Sequence, residues 1–187
     1  MKKVSQKLFE GDALDIARNM LGKVIEYDGC SGMIVESEAY KSDPASHAYK
    51  ITPRSEIMLT TYGNIYVYLI YGMYFCLNIT TNKEAIGAVL IRAIEPLSGI
   101  KKMESRRRTK NILNLTSGPG KLCQALNISK GLNNTKVNDS IKIFNYKEFK
   151  DNQITSSKRI GISNGKDLDW RFFVSGNKFV SKNHQKL

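Results

Sequence analysis

No stretch of this 187-residue chain is apolar for the length that a bilayer-spanning helix requires, so a membrane protein is not expected. Lys2 and Lys3 are not followed by an apolar run, which argues against a secretory leader. Histidine is scarce, with His47 and His184 the only two. Cys30, Cys76 and Cys123 are odd in number, far apart and in no CxxC arrangement. That pattern offers neither a zinc ligand set nor a catalytic metal, and no metal or other cofactor is expected. Buried thiols in a reducing, intracellular setting are the plain reading, cytoplasm or nucleoid if the source is bacterial.

Acidic residues are the remaining shortage. Lys plus Arg number 29 against 17 Asp plus Glu, a net charge of +12. Such an excess favours a polyanionic partner, nucleic acid ahead of a membrane surface, because the charges do not gather on one amphipathic helix. A merely soluble basic protein shares this composition. The aromatic segment that accompanies the charge weighs against it.

That segment, Asn64 to Thr80, organises the chain. It reads as two strands folded about Tyr71-Gly72, since nearly every residue before the glycine is β-branched, aromatic or leucine and the pattern resumes after it. Period two puts Ile65, Val67 and Leu69 on one face and Tyr66, Tyr68 and Ile70 on the other. Past the turn Met73, Phe75, Leu77 and Ile79 share a face. Gly72 supplies the positive φ of a tight turn. Tyr71 is the oddity, because hairpin tips normally carry small polar residues. By residue type alone it reads as a packed cap before a probe for a partner.

Elsewhere, Asp12 to Gly22 reads as a helix capped by Asp12, with Leu14, Ala17 and Leu21 inward and Gly22 ending it. Strands are expected at Lys23–Tyr27 and Ser31–Tyr40 around an Asp28-Gly29 turn, then at Ala88–Ala93. Lys41 to Arg54, with Pro44 and Pro53, is expected as an ordered loop. Pro96 suits the first turn of a helix to about Arg107, with Leu97, Ile100 and Met103 inward. Arg106 to Lys110 reads as a mobile loop, either tracking phosphates or a solvated surface. Ser117 to Lys121 opens a helix over Leu122–Leu126; it lacks Walker spacing, although its N-terminus could hold an anion. Ile141–Phe144, Arg159–Ile162, Trp170–Val174 and Phe179–Ser181 read as short strands. Neither a repeat nor a linker divides the chain, and one domain over residues 1–187 is expected, with Lys182–Leu187 a frayed tail.

Alternation places Glu36, Glu38 and Tyr40 on one face of the second strand. Two carboxylates in an otherwise apolar strand are costly to bury unless paired or used. They serve either as salt-bridge partners for the many Lys and Arg residues or as a general base beside an aromatic ring. The residues do not choose between the two glutamates.

Seven ordered motifs carry a resemblance: Glu36-Ser-Glu-Ala-Tyr40, Asp43-Pro-Ala-Ser-His47, Thr52-Pro-Arg54, Ile65 to Asn78, Val89 to Leu97, Gly118 to Leu126 and Arg159-Ile-Gly-Ile162. Over about Ala13 to Ser181 the chain resembles the alkyladenine (3-methyladenine) DNA glycosylase family. It departs at Leu59–Gly63, which lacks the phenylalanine and proline often found there, and at Ser37, where threonine is common.

The resemblance implies hydrolysis of the N-glycosidic bond of alkylated or deaminated purines flipped out of duplex DNA. It implies Glu38 as general base, with Arg92 and the main-chain carbonyl of Ile160 holding the water. Tyr40 on one face and His47 with Tyr68 on the other would stack the base, and Asn78 would disfavour normal guanine. Tyr71 would wedge into the minor groove, which reverses the packed-cap reading, with Met73 beside it. Arg54, Lys121, Arg106, Arg107 and Arg108 are candidate phosphate contacts. No lysine matches a Schiff-base nucleophile, so no lyase step is expected. The expected fold is a single α+β domain, a mainly antiparallel curved sheet with flanking helices and a protruding β-hairpin, acting as a monomer. Two other readings stand beside it: a non-catalytic nucleic-acid-binding module in which Glu38 is only an ion-pair partner, and a ribosome-associated basic protein.

Overall fold

Period-two segments dominate the sequence, and they assemble into one eight-stranded sheet whose pairings are all antiparallel among the described residues. The computed structural model describes residues 1–83 and 85–181; the tail Lys182–Leu187, expected to fray, lies outside them. The strands are β1 Val24–Tyr27, β2 Cys30–Tyr40, β3 Ile65–Ile70, β4 Tyr74–Thr81, β5 Gly87–Ser98, β6 Lys142–Phe144, β7 Ile154–Ser157 and β8 Arg171–Val174. Their order is β3-β4-β5-β2-β1-β6, and β8 joins β2 to β7. The architecture is α+β, with helices α1 Ala13–Met20, α2 Glu56–Thr60, α3 Ile100–Arg107 and α4 Pro119–Leu126.

The long strand β2 is the axis. One edge pairs with β5, while β1 takes the first half of the other edge and β8 the second half at Glu36–Glu38. Register shifts at Ile34/Glu36 and Glu36/Ser37 mark a bulge, the device that bends a strand and re-aims its side chains. Helix α1 packs on β2 and β5, and α4 on β4 and β5, burying Ile34, Ile65, Leu77, Ile79 and Ile91 beneath them. Asp12 caps α1 as expected, its Oδ1 accepting from the Leu14 amide at 2.9 Å. Gly22 follows at φ +83, where a Cβ would lie 2.2 Å from the Lys147 carbonyl oxygen.

Several expectations are corrected. Pro96 opens no helix: it lies in β5 opposite Gly32, beside a register shift and beyond Leu90, where β4 leaves β5. A missing N–H is tolerated at such an edge. The helix starts after Gly99, and Leu97 is 40% exposed rather than inward. Arg106 to Lys110 is not a loose loop, because Arg106 and Arg107 form the last turn of α3 and Arg108 caps it. Arg159–Ile162 and Phe179–Ser181 form no strands, and β7 was not anticipated. In both missed segments main-chain groups bond to buried charged side chains instead of a ladder: Ile160 N–H to Glu38 and Ser181 N–H to Glu36.

The hairpin β3–β4 keeps the predicted alternation of faces, with Val67 opposite Leu77 on the core face and Tyr68 opposite Cys76 on the other. Three residues join the paired Ile70 and Tyr74. Tyr71 and Gly72 have φ of 53° and 68°, and the Met73 amide donates to the Ile70 carbonyl at 3.2 Å, as in a type I′ turn.

Candidate active site

Glu36 and Glu38 both project to one side of β2, while Ser37 between them donates to the Ala17 carbonyl of α1 at 2.7 Å. Both carboxylates are fully buried and need charge partners. Neighbouring strands bring two: Arg92 from β5 and Arg171 from β8. Arg92 donates through Nε to Glu36 at 3.3 Å and through Nη1 to Glu38 at 3.2 Å. Burial opposes charge on Arg92, yet the carboxylates of Glu38 and Glu36 outweigh it and raise its pKa.

The two glutamates differ in what remains free. Glu36 Oε1 accepts from Arg92, from Arg171 Nε at 2.6 Å and from Ser181 Oγ at 2.7 Å, and its Oε2 accepts from the Ser181 amide at 2.7 Å. Three of these donors converge on Oε1 and one meets Oε2. Glu38 Oε2 accepts from Tyr40 Oη at 2.8 Å and from Arg92, whereas among the described residues Oε1 accepts only the Ile160 amide, at 2.8 Å. One lone pair on Glu38 Oε1 is left over.

All three Glu38 partners, Tyr40, Arg92 and Ile160, line a cavity of about 790 Å³, with Glu38 directly behind its wall. His47 and Tyr68 line it too, their rings edge to face at 4.4 Å and 70°. His47 Nδ1 lies 2.8 Å from Tyr66 Oη. Burial, with Arg54 nearby, lowers the His47 pKa, so the neutral imidazole is favoured. Burial raises the Tyr40 hydroxyl well above its ordinary value, and the adjacent Glu38 charge adds to this. Burial likewise lifts Tyr68, and carries Tyr66 to about 12. The Ile160 carbonyl accepts from Arg92 Nη1 at 3.4 Å.

Asn78 does not line the large cavity. It faces a smaller one of about 20 Å³ that shares Tyr40, His47 and Tyr68, and its Nδ2 donates to the Tyr66 carbonyl at 3.1 Å. At the mouth stand Arg54, Tyr71, Arg107 and Lys121. Tyr71 is 73% exposed and Met73 65%, so the tip tyrosine is not a packed cap. A bulky residue at positive φ without packing to reward it marks a site selected for something else.

The basic candidates divide. Arg54 and Arg108 are exposed. Lys121 donates to Asn114, and Arg107 to the Leu115 carbonyl at 3.1 Å and to Gln124. Arg106 is turned away, tied to Asp28 and to the Ala125 carbonyl at 2.9 Å. Two arginines escaped the sequence reading. Arg171 completes the Glu36 pair, and two buried carboxylates on one strand were the signal that two cations must face them. Arg159 is fully buried, its Nη2 on Asp43 at 2.6 Å and its guanidinium 4.7 Å from the Tyr40 ring, which ties the His47 loop to the cavity wall. The thiol of Cys76 also lines the cavity, raised to about 11 by burial.

The methylpurine-DNA glycosylase family matches residues 7–178. A protein of Clostridium perfringens (strain SM101 / Type A) is 43% identical over 203 residues, spanning 96% of this chain and 99% of its own. One of Agrobacterium fabrum is 42% identical over 181 residues, spanning 96% and 92%. One of Methanoculleus marisnigri is 40% identical over 184 residues, spanning 93% and 96%. All three bear the name "Putative 3-methyladenine DNA glycosylase". The chain belongs to the methylpurine-DNA glycosylase family.

Proposed function

We propose that this DNA glycosylase is monofunctional and releases alkylated or deaminated purines, such as 3-methyladenine, hypoxanthine and ethenoadenine, from duplex DNA after flipping them into the aromatic cavity. The relatives' names supply 3-methyladenine. The observation that carries the rest is the free lone pair of Glu38 Oε1 behind a cavity walled by Tyr40, His47 and Tyr68.

An extruded base loses its stacking neighbours, and aromatic faces replace them. Tyr40 takes one face of the base and His47 with Tyr68 the other. A neutral His47 can lie against a positively charged alkylated purine without repulsion. Asn78 stands behind this clamp and disfavours the exocyclic amine of normal guanine. Water sits within reach of Glu38 Oε1, held by Arg92 and the Ile160 carbonyl. Its oxygen bonds to the sugar C1′ as the glycosidic bond breaks; the electron pair leaves with the purine, and the water proton goes to Glu38. The oxocarbenium-like charge that develops faces the same carboxylate. Tyr71 and Met73 occupy the gap in the stack, and Arg54, Arg108 and Lys121 approach phosphates.

The test is a set of duplexes carrying single defined lesions, incubated with the protein and then treated with alkali. Strand breaks at the lesion after alkali, and none before it, are expected. Breaks without alkali would mean a lyase, and no breaks on any lesion would remove the enzymatic reading.

A further inference from the structure

We propose that Glu36 is a positioning residue for the reaction, holding Arg92 in the orientation that Glu38 needs; this rests on the reading of Glu38 as the base. Glu36 lines no part of the cavity and is fully buried, so it does not meet substrate. What it does is grip Arg92 from behind. The guanidinium is planar, and with Nε on Glu36 its Nη1 edge is aimed at Glu38 and the Ile160 carbonyl. Without Glu36 that edge is free to swing.

Glu36 is itself clamped. Arg171 approaches from β8, and Ser181 donates twice, through its amide and its hydroxyl, both at 2.7 Å. Ser181 lies past residue 178, where the family match ends, so the clamp is completed by the chain's C-terminal segment. Arg171 Nη2 also reaches the Ser181 carbonyl at 3.5 Å, closing the ring.

The cluster balances two carboxylates against two guanidiniums in a buried setting, where each charge is felt strongly. The other titratable groups facing Glu38 are Tyr40 on β2, Tyr68 on β3 and Cys76 on β4, all raised by burial and uncharged around neutrality. Within this cluster Glu36→Gln removes the acceptor that holds Arg92 Nε, and Arg171→Gln loosens Glu36 itself.

The experiment measures single-turnover excision, with lesion-DNA affinity measured separately, on a duplex bearing one hypoxanthine or one alkylated purine, whichever the wild type releases. Glu36→Gln should slow excision by roughly ten- to a hundredfold, the scale of a misplaced catalytic group, with affinity within about twofold. Glu36→Asp, which keeps the carboxylate, should recover part of the lost rate, a rescue that a merely structural role would not give at unchanged affinity. Wild-type rates in Glu36→Gln, or a loss of affinity as large as the loss of rate, would overturn the proposal. If Glu36→Gln fails to fold, Ser181→Ala decides: it removes one neutral donor, and a slower rate with affinity within about twofold supports the clamp, whereas an unchanged rate overturns it. A wild type that releases nothing sinks the glycosylase reading instead.

Discussion

Glu36 and Glu38 accept from one guanidinium, that of Arg92, at 3.3 and 3.2 Å. Sharing a cation makes the pair look symmetrical, and the asymmetry comes from the other donors: three more at Glu36 and only two at Glu38. Position separates the two carboxylates further: all three Glu38 donors line the cavity, whereas of the Glu36 donors Arg92 does and Arg171 and Ser181 do not.

Glu38→Gln keeps the shape and an acceptor oxygen but deletes the charge and the proton acceptor. Single-turnover excision should fall by at least about 10²-fold, the low end of general-base contributions. Affinity for lesion DNA should hold or improve, because a carboxylate near phosphates repels them. The assignment is falsified if Glu36→Gln abolishes excision while Glu38→Gln retains it.

Tyr71→Ala should leave thermal unfolding within about 0.5 kcal/mol of wild type, as for a surface substitution. The ring is 73% exposed and contributes little to the core. Capture of the flipped base, which costs a few kcal/mol of unstacking, should weaken. An ethenoadenine that fluoresces when unstacked reports this in duplex DNA. A collapse in stability with unchanged fluorescence would restore the packed cap.

The hairpin and helix α1 were legible because their signals are local: alternation, a glycine at the tip, an aspartate at the cap. Glu36 and Glu38 were legible as a pair for the same reason. Choosing between them was not, since Arg171 lies 135 residues from Glu36 and the Ile160 amide 122 from Glu38. Only the family resemblance selected Glu38 in advance. Pro96 misled because an edge with a register shift accepts proline as readily as a helix start does. The arginine run misled because charge density says nothing of direction: Arg106 points back to Asp28 and only Arg108 is fully out.

That division yields a binding prediction. Log K for undamaged duplex should fall with log salt by roughly 0.9 per phosphate neutralised. Arg54→Ala and Arg108→Ala should each lower that slope by about one and weaken damaged and undamaged DNA alike. Arg106→Ala should leave the slope unchanged and lower thermal stability instead, because it loses Asp28 and the Ala125 carbonyl. A reduced salt slope in Arg106→Ala would show that this guanidinium leaves Asp28 to meet DNA.

His47 provides a pH test whose sign is set by its environment. Burial, then the nearby Arg54 charge, lowers its native pKa below the ordinary 6.5. The unfolded chain therefore takes up a proton near 6.5 that the native protein still refuses. The contribution of neutral His47 to stability is fully present above the unfolded value and is lost as pH falls through the lowered native one. His47→Gln cannot take up that proton, although it keeps polar atoms that can face the Tyr66 hydroxyl. The stability advantage of wild type over His47→Gln, read from urea midpoints, should thus shrink between about pH 7.5 and about pH 5, the range in which imidazole titrates. Taking the difference between the two proteins cancels the carboxylates they share. An advantage that grows on acidification would mean that the native site prefers the imidazolium, and neutral stacking against a charged base would go with it.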